Sequence, residues 1–474
     1  MALLARLVAP EGLGQWAMVG AATNVLHALL INWTQAASVR FGREEWTRQH
    51  SIASTWSGRW PWLLLGGLLA TAVLWTLPAT GVGAFLGLSP GWRWLMIGHF
   101  ATLWLAAEVQ SLLLAMTRFY TLAALPLVVT AVSMLYLWTL QAREEAGGLS
   151  VVLGGVVAVA VVVWGAALFR LLSEMRAFKG FPTRQGLAQT LRYGWPMIPG
   201  FAVGYLSNWG DHLLIKWFFS NREVGLFQAA YQTIIVVLGL ATPLTNLLLP
   251  RLIDQSVHEP AIGRRYVTRI FPTLMSFWGF MCLPLVALLP DVFGFVFGSA
   301  FSDARPIVAA LSVAVPGAAL STMYSPLFSL QGRLERSVGI LVIMIVVNVT
   351  GSLLLLPLLG PLGAALSTAA SYLSAQHLYV LEQHRHLGLP RAPILLQADL
   401  LIVFAAAMAW AHDSMALRLA LCTTGLLVFL AHLRHSRAVD EATLRSLLAG
   451  SGSGLTSVAV KLLVRDHAPR PSEP

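Results

Sequence analysis

The sequence predicts an all-α, polytopic membrane protein: two six-helix lobes related by a parallel repeat, two further helices after them, and a first helix that is cut short. Three observations predict it. Of the 474 residues, 57% are hydrophobic and only 11% are charged, with a mean hydropathy of +0.71. A soluble domain is about a quarter charged and could not hide so much apolar surface. Apolar runs near 20 residues, long enough to cross roughly 30 Å of hydrocarbon, recur along the whole chain. Basic residues gather in every second loop, as the positive-inside rule requires of a multi-pass protein.

Met1–Val8 is too short to span, and the turn Pro10-Glu11-Gly12 follows it. Apolar runs then fall at 13–37, 60–80, 92–116, 119–140 and 149–172. A pair at 191–219 and 223–249 is joined by the charged turn Asn221-Arg222-Glu223 and ends on Pro250-Arg251. Further runs lie at 267–290, 307–330, 337–357, 361–381, 394–412 and 415–433, which makes thirteen spans after the opening stub. The tail carries a weakly amphipathic piece, Ala438–Leu448, and closes on Ala-Pro-Arg-Pro-Ser-Glu-Pro, a composition that favours disorder. The domain reading is an N-terminal lobe over 1–172, a cytoplasmic linker over 173–190, a C-terminal lobe over 191–386, two additional helices over 387–435 and a cytoplasmic tail over 436–474. Cys282 and Cys422 sit singly in apolar runs, which excludes a disulfide framework or a paired-cysteine metal site.

One set of loops carries Arg40, Arg43, Arg48 and Arg59; Arg118; Arg170, Arg176, Lys179, Arg184 and Arg192; Arg251, Arg264, Arg265 and Arg269; Arg333 and Arg336; and Arg385 and Arg391. The alternate set has only Arg93, Arg143, Lys216, Arg222, Arg305 and Arg418. The first set is therefore cytoplasmic. The net charge of +10 follows from this topology. It is spread over loops rather than collected on one face, so nucleic acid is not a partner.

Gly14 and Gly225, Arg40 and Arg251, and Pro61 and Pro272 are each 211 residues apart, and each pair marks the same point in successive helices. A repeat of this length holds six helices. An even number returns the chain to the same side, so the halves share an orientation and leave a cleft between them. The same offset places the partner of the helix that opens at Leu191 before Met1. About 20 residues, most of one span, are then expected ahead of the present start; a late start site and a truncation both fit.

These residues carry a resemblance. Leu3-Leu4-Ala5-Arg6-Leu7-Val8-Ala9-Pro10-Glu11-Gly12-Leu13-Gly14 resembles the end of the first helix in the bacterial polysaccharide flippases, the O-antigen and exopolysaccharide transporters. Val39-Arg40-Phe41-Gly42 resembles the end of their second helix. Leu191-Arg192-Tyr193-Gly194-Trp195-Pro196 is similar to the opening of their second lobe, and Glu223-Val224-Gly225-Leu226-Phe227 to its outer turn. The resemblance runs over about 1–390. It implies a V-shaped pair of lobes that moves a polyprenyl-diphosphate-linked oligosaccharide from the cytoplasmic to the periplasmic leaflet of the inner membrane by alternating access. The superfamily it belongs to also holds multidrug extruders and lipid II flippases. Where the family often has Asp-Arg in the seventh helix, this chain has Asp211-His212, which replaces a fixed charge by one that titrates near neutrality.

An anionic head and a polar glycan both need a wet, basic cleft, and ionisable groups inside spans usually face such a cavity. The substrate-cavity candidates are Arg6, Asn24, His27, Asn32, Gln35, Asn208 and Lys216. The coupling candidates are Asp211 with His212, and Glu108 in the first lobe. Arg40, Arg118 and Arg251, at inner helix ends, are candidate phosphate contacts, and Pro196 and Pro199 a candidate hinge. Each has a plainer reading. Arg6 snorkels to the interface, and Asn24, His27, Asn32 and Gln35 glue helices together. Glu108 pairs with a basic group on a neighbouring helix, Lys216 neutralises Asp211 as a static pair, and the arginines anchor topology. Proline near a helix start is also simply tolerated there. His384-Arg385-His386 reads as an interfacial anchor. No catalytic residue, metal site or cofactor is expected. The partners are the lipid-linked substrate, the bilayer and other polysaccharide-assembly membrane proteins.

Three classes compete: a lipid-linked oligosaccharide flippase, a cation-coupled drug extruder of the same fold, and a membrane polysaccharide polymerase or ligase. The last resembles its own kind in having a large external loop with acceptor chemistry. Here the external loops are short and gather no such cluster. The topology is testable in a background with Cys282 and Cys422 replaced by serine. A membrane-impermeant maleimide applied to intact cells should label Ser89→Cys and leave Ser173→Cys untouched; the reverse pattern inverts the assignment.

Overall fold

The computed structural model describes residues 2–142, 148–239, 262–389 and 392–436, together with 439, 441, 444 and 445. The Pro250-Arg251 helix end and almost all of the tail lie outside them. Among the described residues the chain is helical throughout, with no strand. Contacts divide it into two compact units, Met1–Ala229 and Ala230–Pro474.

In the first unit, α1 runs Ala2–Leu30 with a break at Ala9 (φ 56°, ψ 172°), after which Pro10 opens the longer part. Proline suits that first position because its missing amide would be unpaired there in any case. The run expected at 13–37 is interrupted at Ile31 (φ −118°, ψ −50°) and resumes as α2, Asn32–Ala37. A π-helical turn, Ser38–Gly42, leads into α3, Arg43–Gln49. Then come α4 (Ala53–Ser57), α5 (Trp60–Thr76) and α6 (Gly81–Leu86). They are followed by α7 (Arg93–Ala115), α8 (Phe119–Ala142) and α9 (Leu149–Glu174). The seventh span is split into α10 (Arg184–Gly194), a 3-10 turn over Trp195–Met197, and α11 (Ile198–Phe218). The next helix, α12 (Asn221–Gly239), begins in this unit.

Two apolar clusters hold the first unit. Leu4 of α1, Leu95 of α7, Leu137 of α8 and Leu153 and Val157 of α9 meet near one end. Val109, Leu112 and Leu113 of α7, Trp164 and Leu171 of α9, and Ile52 and Met175 meet near the other. The helix α11 lies against α1, where Tyr205 donates from its hydroxyl to the Ala21 carbonyl at 3.1 Å.

Gly14 and Gly225 explain how α1 and α12 approach. A Cβ on Gly14 would stand 1.8 Å from the carbonyl oxygen of Asn221, and one on Gly225 would stand 1.7 Å from that of Pro10. Residues 10 and 221 are themselves 211 apart. The contact is thus reciprocal, as in an isologous interface: the two repeat-related helix starts meet about a local two-fold, backbone on backbone. The repeat recurs in local geometry too. Gly87 and Gly298, 211 apart, both have positive φ (71° and 87°). The start of the following helix repeats to within a residue, since α7 opens at Arg93 and its later counterpart at Arg305.

In the second unit, a π-helical turn at Tyr266–Ile270 feeds α13, Phe271–Phe297. After it come α14 (Arg305–Ser312), α15 (Ala314–Leu330), α16 (Leu334–Leu359), α17 (Pro361–Leu387), α18 (Ala392–Trp410) and α19 (Met415–Ser436). The helices α16 and α17 form a tight hairpin about Gly360 (φ 61°), joined by Asn348 Nδ2 donating to Thr368 Oγ1 at 3.1 Å. The two helices that follow the repeat are fixed to α13. Gln397 of α18 donates to the Pro272 carbonyl and to Ser276 Oγ at 3.2 and 3.0 Å. Arg418 of α19, 1% exposed, donates to the Ala287 carbonyl at 2.8 Å and pairs with Asp291. The reading of His384 as an interfacial anchor is corrected: its Nε2 is buried, 3.3 Å from the Tyr324 hydroxyl.

Among the described residues, seven helices are long and apolar enough to cross a membrane, or eight if the pair over 299–325, bent by 45°, is one span. Several of the thirteen expected runs fall short of that test for a physical reason. In α11, Asn208, Asp211, His212 and Lys216 lower the hydropathy, and among the described residues the apolar part of α18 is Ile394–Trp410.

The glycine contact gives a stability prediction. Gly225→Ala should lower stability by about 1–3 kcal/mol, the cost of overpacking. Gly204→Ala, where nothing lies within 4 Å of the added Cβ, should hold or raise it. Thermal unfolding of both variants in detergent checks this, and equal melting of the two would remove the contact from the account.

Candidate substrate cavity and coupling residues

Three groups of side chains are brought together in the first unit. The deepest is built on α2, α5 and α7. Thr34 and Ser38, one turn apart, present hydroxyls on the same side of α2 and its π turn. Arg59 stands just before the Trp60-Pro61 opening of α5. Glu108 lies on the inner face of α7. Arg59 and Glu108 are each 0% exposed. The guanidinium grips the carboxylate with both terminal nitrogens, Nη1 to Oε2 and Nη2 to Oε1, each at 2.6 Å. Its Nε donates to Thr34 Oγ1 at 3.0 Å, and Nη1 also donates to Ser38 Oγ. The fork-on-fork geometry is the strongest that an arginine and a carboxylate form. With these hydroxyls it satisfies the donors that burial would otherwise strand.

Sequence reasoning placed Glu108 among the coupling candidates, with pairing to a basic group on a neighbouring helix as its plainer reading, and counted Arg59 among the loop charges. The signal available was the Thr34/Ser38 spacing opposite it. Neighbouring arginines at the same end are also engaged. Arg118 pairs with Glu174, through Nη1 to Oε2 at 2.9 Å and a second bond from Nη2. Arg40 is exposed; it lies 5.0 Å over the Tyr193 ring and 3.9 Å from Glu44. Arg251 lies outside the described residues.

The second group lies between α1 and α7. Thr23 Oγ1 is 2.7 Å from His99 Nδ1 and donates to the Val19 carbonyl at 2.8 Å. Trp16 sits edge-on to His99 at 4.7 Å, and His27, buried, edge-on to Phe100 at 6.4 Å. Asn24 donates to the Gly20 carbonyl of its own helix at 2.9 Å. Asn32 and Gln35, half-buried, lie beyond the Ile31 break. The four polar residues expected on one continuous face are therefore divided between two helices, and the correction follows from that break. Arg6 is exposed.

The third group is in the α11–α12 hairpin. Asp211 and His212 are both buried. His212 Nε2 lies 2.5 Å from Gln228 Oε1; an amide oxygen only accepts, so the ring nitrogen donates. Its ring packs against Trp209 at 5.2 Å and Phe227 at 5.1 Å. Asn208, one turn earlier, is exposed and donates to the Gly204 carbonyl, and Lys216 is half-buried. Gln228 was not a sequence candidate. Pro196 stands in the 3-10 turn between α10 and α11, and Pro199 within the first positions of α11. The chain is broken at these prolines in the place where proline is also sterically easiest.

An apolar cavity of about 390 Å³ lies beside these groups, lined by Leu26, Val73, Phe85, Tyr205, Leu213 and Trp217 among others. The α1 helix turns Ala22, Val25 and Leu26 to it and keeps Thr23 and His27 on the side of α7. The polar candidates and this cavity occupy different faces of one helix.

Residues 1–255 match the model of the polysaccharide biosynthesis protein family, more than half of the chain, and the protein belongs to that family. Among solved structures it is similar to a lipid II flippase, MurJ, in an inward closed conformation, with a TM-score of 0.66 at 13% identity, over 90% of this chain and 95% of that one. This likeness is one of fold. No curated protein matches the sequence.

The buried pair makes a double-mutant prediction. Glu108→Gln alone leaves the Arg59 charge without its counterpart and should cost about 3–5 kcal/mol. Arg59→Met with Glu108→Leu should recover most of that loss. Unfolding midpoints of the single and double variants decide it: a double variant no better than the single one would mean that packing, not charge, sets the cost.

Proposed function

We propose that this protein is a flippase that carries a polyprenyl-diphosphate-linked oligosaccharide across the bacterial inner membrane, from the cytoplasmic to the periplasmic leaflet, by alternating access. It is a transporter and not an enzyme, and it serves cell-surface polysaccharide synthesis. The observation that carries the reading is the family match over residues 1–255. The likeness in fold to a protein described as a lipid II flippase supports lipid-linked cargo in general. The family's description as polysaccharide biosynthesis proteins supports the oligosaccharide over lipid II within this proposal. Within this reading, Asp211 with His212 forms the ion- or proton-responsive element. The geometry favours a fixed structural role for Glu108, because Arg59, Thr34 and Ser38 already close around it.

The test uses proteoliposomes loaded with lipid-linked oligosaccharide, lipid II or a cationic dye, with translocation followed by accessibility to an added glycosidase or quencher. Wild-type protein should move the oligosaccharide and leave the dye, and an ion gradient should speed it. Asp211→Asn should abolish the gradient's stimulation while the protein still inserts and binds substrate. Preferential movement of lipid II or dye would reassign the cargo, and normal gradient dependence in Asp211→Asn would move the coupling site elsewhere.

A further inference from the structure

The open end of the α16–α17 hairpin carries a feature that flipping does not require. A cavity of about 400 Å³ lies between the two helices there. Glu335, Arg336 and Glu382 stand at its charged end, and Ile340, Ile343 and Leu381 line the rest. We propose that this cavity is a lipid site that takes a phospholipid with a primary ammonium headgroup, an ethanolamine phospholipid.

Position sets the class of ligand. The stretch Glu335–Leu359 is apolar and long enough to be a span, so Glu335 and Arg336 stand at the boundary of hydrocarbon and water. From Glu335 to Ile343 is eight residues, a rise of about 12 Å along the helix. A lipid headgroup and the first part of an acyl chain cover the same depth. Ile340 is buried and Ile343 is 46% exposed, so the apolar part of the cavity opens sideways, where a chain would lie.

Charge selects the headgroup. Glu382 is already occupied: Arg333 bonds its Oε1, and Arg336 Nε stands 3.8 Å away. Arg336 nevertheless keeps a side chain that is 63% exposed, and Glu335 beside it is exposed too. An exposed cation and an exposed anion side by side complement a zwitterion, with the phosphate on Arg336 and the ammonium on Glu335. Glu335 and Glu382 are offset by Arg333 and Arg336, so the mouth carries no net formal charge and matches a headgroup that carries none. A primary ammonium has N–H donors to offer the Glu335 carboxylate, whereas a trimethylammonium has none.

The experiment is native mass spectrometry of the full-length protein, delipidated and then given phosphatidylethanolamine, phosphatidylcholine or phosphatidylglycerol with the same acyl chains. The ethanolamine lipid should be retained about tenfold more than either of the others, the size of one charge-assisted hydrogen bond. Glu335→Gln should remove the preference for ethanolamine over choline. Ile343→Trp, which fills the apolar part, should reduce retention of the ethanolamine lipid while the melting temperature holds. Equal retention of choline and ethanolamine lipids, preference for the glycerol lipid, or an ethanolamine preference unchanged in both variants would each overturn the proposal.

Discussion

The Arg59–Glu108 pair is the contact on which one end of the first unit depends. It joins three pieces that are distant in sequence: the α2 segment through Thr34 and Ser38, the start of α5 through Arg59 itself, and α7 through Glu108. A low-dielectric interior makes this an all-or-nothing arrangement. Complete, it holds three elements in one register; with one partner missing, the remaining charge is stranded. Both side chains are fully buried, so water does not substitute for either partner. Arg418 does the same work in the second unit, where it ties α19 to α13 through Asp291 and backbone carbonyls. In each case a single arginine holds helices that apolar packing alone, in a lipid solvent, would leave free to slide.

Close backbone approach is the complementary device. Where α1 meets α12, no side chain intervenes, and van der Waals contact runs from carbonyl to glycine in both directions. The two glycines occupy equivalent places in the repeat, so one local rule, a small residue four positions after the helix start, serves both sides of the contact. Helix association in membranes favours such small-residue seams because apolar side chains gain little by leaving lipid.

Much of this was legible in the sequence. Hydropathy and loop charge give the class and the approximate helix positions, because both report on a constraint that acts on every span. Proline marks helix starts at Pro61, Pro196 and Pro272, where its missing amide would be unpaired in any case, although Pro126, Pro284, Pro290 and Pro357 lie inside helices. The spacing of Gly14 and Gly225 was visible, but not that they touch. What was not legible depends on groups far apart in the chain. Arg59 and Arg418 read as loop charges, because only the fold brings Glu108 and Asp291 to them. The Ile31 break carries no proline or glycine, so the 13–37 run looked continuous. The polar groups of α11 looked like one face, yet Asn208 is exposed while His212, four residues on, is sealed against Phe227 and Gln228 by the returning helix.

That last arrangement bears on how an ion could act. Asp211 and His212 sit within the α11–α12 hairpin, and both arms of the hairpin rest on α1: α11 through Tyr205 on the Ala21 carbonyl, and α12 through Gly225 on Gly14. A change of charge at Asp211 would therefore be felt first as a change in how the two arms fit together. The Gly14–Gly225 contact has no slack to absorb it, because backbone atoms already meet there. The other end of α11 is different: the 3-10 turn at Trp195–Met197 separates it from α10, and a proline there removes one of the hydrogen bonds that would stiffen the junction. Strain entering at Asp211 would thus travel toward Pro196 rather than toward Gly225. If Asp211 is the coupling residue proposed above, it and the proline break belong to one lever, with its fixed point at the glycine contact.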